Sequence, residues 1–170
     1  MTKAVFFDRD GVVNKRIVGG YVTKWDEFEW LPGIAEVLRK IKELGYLTII
    51  ITNQRGVGIG KMTEADLTSI HATLQEELGD VQFDDIISCT DATNDSLRRK
   101  PSPEMFFEAA RKYDIDLSQS WMIGDSPTDI EAGNRAGTKT AFLLNDHEHP
   151  PEDATITINN VNDIIAHLRP

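Results

Sequence analysis

The stretch Ala4-Val5-Phe6-Phe7-Asp8-Arg9-Asp10-Gly11 sets four apolar residues against two carboxylates one residue apart. A continuous apolar run suits a strand covered on both faces, the usual condition in a parallel sheet. Acids at the carboxyl end of such a strand lose water and repel one another, so holding them there costs free energy. Open α/β sheets bind their ligands at that edge. A divalent cation holds such a pair best and leaves one oxygen free to attack an electrophile.

Outward from this stretch, strand and helix signals alternate. Leu31-Pro32-Gly33 introduces a helix with the stripe Ile34, Val37, Leu38, Ile41 and Leu44, and Gly45 follows as its stop. Leu47 to Ile51 is a β-branched run and the second core strand. Thr63-Glu64-Ala65-Asp66 resembles a capping box before a helix carrying Leu67, Ile70, Leu74 and Leu78. Asp85 to Cys89 reads as a strand on Ile86 and Ile87. Ser102-Pro103 reads as an N-cap and first helical position, with Phe106, Ala109, Ala110 and Tyr113 on one face. Trp121 to Ile123 is a short strand, and Ser126-Pro127 opens the next helix. Thr140 to Leu144 is a strand, Thr155 to Ile158 an edge strand, and Val161, Ile164, Ile165 and Leu168 mark a final helix. The alternation predicts a Rossmann-like, doubly wound α/β fold with a mostly parallel sheet and helices on both faces. Residues 1–170 read as a single domain, with a flap at about 14–30 and a surface loop over 145–153.

Composition narrows the partners. The 28 acidic residues against 18 basic ones give −10, a field that repels nucleic-acid backbones and anionic membrane surfaces. No apolar stretch approaches the ~20 residues of a membrane span. Cys89 is the only cysteine, which excludes an intramolecular disulfide and a Cys-rich zinc site. A cytoplasmic enzyme is expected, and no coiled-coil or extended apolar stripe argues against a monomer.

The polar residues at strand ends supply a chemistry. Asp8 and Asp10 follow the first strand, Thr52-Asn53 the second and Gly124-Asp125 the fourth, while Lys100 precedes a helix. In a parallel sheet these positions converge on one rim. Phosphate-ester hydrolysis fits them. Asp8 attacks phosphorus to form an aspartyl-phosphate. Mg²⁺ held by Asp8 and Asp125, with Lys100 nearby, relieves the charge repulsion. The Thr52 hydroxyl and nearby amides grip the phosphoryl oxygens. Asp10 protonates the leaving alkoxide and then deprotonates water.

These residues are similar to those of the haloacid dehalogenase superfamily of phosphatases. Phe6-Phe7-Asp8-Arg9-Asp10-Gly11-Val12-Val13-Asn14 resembles the subgroup of heptose bisphosphate and histidinol-phosphate phosphatases, as do Gly20-Tyr21, Phe28-Glu29-Trp30-Leu31-Pro32-Gly33, Thr52-Asn53-Gln54, Arg99-Lys100-Pro101, Gly124-Asp125 and Ala136-Gly137-Thr138-Lys139-Thr140. The resemblance implies a capless domain with Asp8 as nucleophile and Asp10 as general acid/base. It implies Mg²⁺ bound by the side chains of Asp8 and Asp125 and the backbone carbonyl of Asp10. It implies phosphate held by Thr52, Asn53 and Lys100, and a substrate pocket lined by Gly20, Tyr21, Gln54, Arg55 and Arg99. Asp129 matches the second acid of the metal motif and would lie just outside the ligand set. Two departures stand out: the cysteines of the subgroup's zinc loop are missing between Cys89 and Arg98, and Ser126 stands where the heptose enzymes carry lysine. The substrate implied is a small sugar phosphate or bisphosphate, with histidinol phosphate as the runner-up.

Other readings compete at particular residues. Asp129 three residues after Ser126 also fits a helix cap. Arg55 with Gly56, Gly58 and Gly60 reads equally as a mobile substrate loop or a flexible connection. Gly60-Lys61 lacks the Gly and Ser/Thr that a nucleotide P-loop needs at positions 55 and 62. His147 and His149 read as solvated residues of an acidic loop. A receiver-like signalling domain would separate its acid pair from the phosphorylated aspartate, and a non-catalytic phosphate-binding module would not need the full polar set.

Overall fold

Ala4 to Phe7 are completely buried, Val5 and Phe7 in one core and Ala4 and Phe6 in another. This alternation makes them the central strand of a sheet covered on both faces. The computed structural model describes residues 1–145 and 149–170. Among these, β1 (Lys3–Phe7), β2 (Tyr46–Asn53), β3 (Asp85–Cys89), β4 (Trp121–Gly124), β5 (Lys139–Leu143) and β6 (Ile156–Ile158) form one sheet in the order β3-β2-β1-β4-β5-β6. Every pairing is parallel, so the mostly parallel sheet expected from the sequence is wholly parallel among the described residues. The chain builds outward from β1 through β2 to β3, then crosses to β4 on the other side. The reversal falls between β1 and β4, where α/β sheets open a crevice.

The helices that cover this sheet are α1 (Ile34–Glu43), α2 (Arg55–Gly58), α3 (Glu64–Leu78), α4 (Glu104–Tyr113) and α5 (Pro127–Ala136). Val37, Leu38 and Ile41 of α1, with Leu74 and Leu78 of α3, pack on Val5, Phe7 and Ile50. Met105, Phe106 and Ala109 of α4, with Ala132 and Ala136 of α5, pack on Ala4, Phe6 and Ile49. Phe106 meets Phe6 edge-on at 5.0 Å between ring centroids. A third, smaller cluster of Val22, Met62, Leu67 and Ile70 ties residues 17–28 to α3.

Local signals set most boundaries. Thr63 and Asp66 form the reciprocal capping box, at 3.0 and 2.8 Å. Pro127 occupies the first turn of α5. Three expectations shift. Pro103 is the N-cap of α4 rather than its first helical residue, because Ser102 instead accepts from the Glu104 N–H and donates to the Leu97 carbonyl. Val161–His167 is a 3-10 helix and not an α-helix. Three residues per turn stack Val161 directly beneath Ile164, and both are buried, whereas Ile165 is only partly so. Arg55, Gly56 and Gly58 lie in the single helical turn α2, and Gly60 follows it in a turn with φ +78°.

Residues 14–30 leave the sheet between β1 and α1 and return. Their ends are pinned by an antiparallel bridge between Asn14 and Trp30 and by the Lys15 N–H on the Glu29 carbonyl at 2.8 Å. Trp25–Glu27 form a 3-10 turn, with Trp25 stacked on Phe28 at 4.6 Å. His147 lies outside the described residues; His149 is exposed.

Phe106→Ala removes a fully buried ring and its edge-on contact. It should destabilise the protein by about 3–5 kcal/mol in urea unfolding, against under about 1.5 for Phe106→Leu.

Candidate active site

At the carboxyl ends of β1, β2 and β4 lies a cavity of about 600 Å³, its floor formed by Asp8, Asp10 and Lys100 and its rim by residues 16–22, 53–55, Arg99, Ser126, Thr128 and Asp129. Parallel pairing brings the floor together. The Asp8 N–H continues the β1–β4 ladder onto the Ile123 carbonyl at 3.0 Å, which sets Asp8 beside the Gly124-Asp125 corner. The Asp8, Asp125 and Asp129 carboxylates lie within 4.8 Å of one another and are all buried.

Two glycines make room for this crowding. Gly11 has φ +97°, and a Cβ there would sit 2.0 Å from Asp125 Oδ2; a Cβ at Gly124 would sit 2.2 Å from the Asp129 Cβ. The glycine of Asp-x-Asp-Gly and that of Gly-Asp are therefore the spaces into which the two later acids fit.

Lys100 balances the acids. Its ammonium donates to Asp8 Oδ1 at 2.9 Å, Asp129 Oδ1 at 2.7 Å and the Ile51 carbonyl at 2.8 Å, which uses all three of its protons. Burial favours neutral Lys100, but Asp129 and Asp8 outweigh it and hold the ammonium charged well above the usual lysine range. Asp8 is pushed up to about 7 by burial and then by Asp129, with Lys100 opposing. Asn53 fixes the lysine from β2: its Oδ1 accepts from the Lys100 N–H at 3.0 Å and its Nδ2 donates to the Lys100 carbonyl at 3.1 Å.

Asp10 sits differently. Arg9 Nη2 and Asn14 Nδ2 both donate to its Oδ1 at 2.9 Å, and Gln54 Nε2 donates to its Oδ2 at 3.0 Å. Burial would raise its pKa, yet Arg9 and these donors hold it below the ordinary carboxylate range.

The remaining sequence candidates divide. Gly20, Tyr21, Asn53, Gln54, Arg55 and Arg99 all line the cavity. Arg55 donates to the Ala92 carbonyl at 3.0 Å and to the Tyr21 hydroxyl at 3.3 Å. The Tyr21 ring lies on Gly56, 3.1 Å from where a Cβ would be. Thr52 is fully buried and does not line the cavity; its hydroxyl accepts from Gln54 Nε2 at 2.9 Å. Asp129 fills the cap position that its spacing allowed, its Oδ2 accepting from the Ser126 N–H at 3.2 Å, while its Oδ1 pairs with Lys100. Where the subgroup's zinc loop would stand, a bidentate Arg98–Glu108 pair at 2.6 and 3.0 Å holds the chain instead.

Arg16 was not among the sequence candidates. Its Nη2 lies 2.8 Å from Asp125 Oδ1 and 3.5 Å from the Asp10 carbonyl, so it covers the acid cluster from the 14–30 segment. A lone arginine in an aperiodic stretch carries no signal of that contact. Asn14 stood at the end of the quoted motif, but its bond to Asp10 depends on the turn at Gly11.

Residues 13–137 match the family model described as a haloacid dehalogenase-like hydrolase. The chain is 38% identical to the D-glycero-beta-D-manno-heptose-1,7-bisphosphate 7-phosphatase of Helicobacter pylori strain J99, over 98% of this chain and 97% of that one. It is 37% identical to the D-glycero-alpha-D-manno-heptose-1,7-bisphosphate 7-phosphatase of Photorhabdus laumondii, over 94% and 92%. It superposes on the crystal structure of D,D-heptose 1,7-bisphosphate phosphatase from B. bronchiseptica, complexed with magnesium and phosphate, with a TM-score of 0.87 and 27% identity, over 98% and 97%. The chain belongs to the haloacid dehalogenase-like hydrolase family and groups there with the phosphatases.

Proposed function

We propose that this phosphatase is Mg²⁺-dependent, works through an aspartyl-phosphate on Asp8, and acts in the cytoplasm on a small sugar phosphate, heptose 1,7-bisphosphate foremost. The observation that carries the mechanism is the buried group of Asp8, Asp125 and Asp129, of which Asp8 and Asp129 line the cavity and both bond to Lys100. Three hard oxygen donors of like charge suit Mg²⁺, and the burial that pushes Asp8 up to about 7 marks a carboxylate short of positive charge. Asp8 and Asp125, with the Asp10 carbonyl, would hold the ion. Bound Mg²⁺ would neutralise the incoming phosphate and favour the anionic form of Asp8.

The chain's own residues do the rest. Asp8 attacks phosphorus, so a P–O bond to its carboxylate forms while the bond to the sugar oxygen breaks. Asp10 gives that oxygen its proton, then takes one from the water that cleaves the aspartyl-phosphate. In the free protein Asp10 is anionic, and a phosphate arriving beside it raises its affinity for the proton it must donate. Lys100 keeps its charge throughout and faces the phosphoryl group. Arg55 and Arg99 on the rim suit an anionic substrate larger than inorganic phosphate.

The names of the relatives support a heptose bisphosphate and divide between the two anomers. Histidinol phosphate uses the same chemistry, and a substrate panel separates the two. Both anomers of heptose 1,7-bisphosphate should exceed histidinol phosphate and glucose 6-phosphate in kcat/KM by at least tenfold (about 1.4 kcal/mol). The opposite ranking would reassign the substrate. Asp8→Asn should lower Mg²⁺-dependent release of phosphate from an aryl ester by at least about 10³-fold, and equal release would sink the mechanism.

Mg²⁺ at about a hundred times its Kd should stabilise the wild type by about 2.7 kcal/mol, seen as a rise in Tm. Asp125→Asn removes a ligand and Gly11→Ala drives a methyl group into the Asp125 carboxylate, so both should lose that rise. A full Mg²⁺ shift in both variants would place the ion elsewhere.

A further inference from the structure

Arg9 is the largest fully buried side chain among the described residues, and the steps above leave it without a task. A guanidinium out of water needs partners at its protons. Its Nη2 donates to Asp10 Oδ1 at 2.9 Å, and its Nη1 meets His71 Nε2 at 3.1 Å; its Nε is buried with no hydrogen-bond partner. The two Nη contacts are what orient the group.

We propose that His71 and Arg9 are positioning residues for proton transfer at Asp10: His71 sets the guanidinium, and the guanidinium sets which carboxylate oxygen faces the substrate. The proposal rests on the reading of Asp10 as the acid–base group.

Hydrogen-bond capacity fixes the roles. Arginine only donates, so His71 Nε2 is the acceptor nitrogen and the ring proton sits on Nδ1. Burial and then the charge of Arg9 push His71 down to about 3, so the ring stays neutral and keeps that acceptor. At the other end, Asp10 Oδ1 already takes two donors, from Arg9 and Asn14. Oδ2 takes only Gln54, while Asp10 lines the cavity with 26% of its side chain exposed. The proton therefore leaves from and returns to Oδ2. Without His71, Nη1 loses its acceptor, the guanidinium turns to find another, and Oδ1 loses one of the two bonds that keep the carboxylate from rotating. The contact crosses 62 residues of sequence and comes from α3, whose Leu67, Ile70 and Leu74 are buried and hold the helix in place.

Leaving-group dependence separates positioning from simple support. A poor leaving group such as a sugar alkoxide needs its proton, whereas dinitrophenolate leaves without one. On the full chain with saturating Mg²⁺, kcat/KM should be measured for heptose 1,7-bisphosphate and for 2,4-dinitrophenyl phosphate. His71→Leu should lower the first by about 10–100-fold and the second by less than about threefold. His71→Gln, whose Oε1 restores an acceptor, should recover most of the loss. Arg9→Lys keeps the charge without the two-armed geometry and should repeat the selective loss, which covers the case of an unfolded leucine variant. Equal losses on both esters, or a lower Tm with both kcat/KM values unchanged, would overturn the proposal and leave His71 and Arg9 as structural residues. Asp10→Ala calibrates the assay. Selective loss there without it in the His71 and Arg9 variants defeats the positioning role alone, whereas no selective loss at Asp10→Ala defeats the acid–base reading and the proposal with it.

Discussion

Lys100 joins three parts of the fold at a single nitrogen. Its protons go to Asp8 at the end of β1, to the Ile51 carbonyl within β2 and to Asp129 on α5. Removing one acid from this set leaves a buried charge without its counterpart, and removing the lysine leaves two. The site is thus bound to the sheet: Asp8 is fixed by the β1–β4 ladder, and Lys100 is fixed through Asn53 by β2. Those elements meet only because the strand order reverses between β1 and β4. Fold and site rest on the same parallel pairing.

That arrangement concentrates negative charge, and the backbone is shaped to permit it. Side chains larger than hydrogen at residues 11 and 124 would collide with Asp125 and Asp129. Lys100 and Arg16 meet the cluster from opposite sides, one buried beneath it and one half-exposed over it. Buried carboxylates gathered this closely repel one another strongly in a low-dielectric place, where positive charge gains most from Coulomb attraction.

Much of this was legible in the chain. The six strands follow from apolar runs, and the convergence of Asp8, Asn53 and Asp125 follows from their places at strand ends, with Lys100 ahead of a helix. Thr63 and Ser126 announced their helices through local chemistry. What stayed hidden depends on long-range contacts. Arg16 reaches Asp125 across 109 residues, and His71 reaches Arg9 across 62, and neither residue type is unusual in its own neighbourhood. Thr52 reads as a phosphate ligand in the motif, and in the fold its hydroxyl accepts from Gln54, two residues on. Asn53 reads the same way and is found clamping the backbone of Lys100. The missing cysteines after Cys89 were plain in the sequence, but that an Arg98–Glu108 pair would hold the same loop was not. That pair spans ten residues between a loop and a helix face, and neither periodicity nor capping rules reach so far.

Asp8 and Asp10 are chemically identical and one residue apart, yet their surroundings drive them in opposite directions. Asp8 ends the strand, so it turns into the acid cluster, where burial and Asp129 raise its pKa. Asp10 lies beyond the strand, where the Arg9 carbonyl accepts three successive N–H groups, from Val12, Val13 and Asn14, and curls the chain. That curl swings the Asp10 carboxylate onto Arg9, Asn14 and Gln54, whose donors and charge lower its pKa despite burial. Paired carboxylates whose environments separate them in this way take separate tasks. Asp8 sits within the acid cluster, where added positive charge would favour its anionic form. Asp10 sits outside the cluster, with two donors on one oxygen and one on the other. A single turn of backbone after β1 therefore separates the two environments.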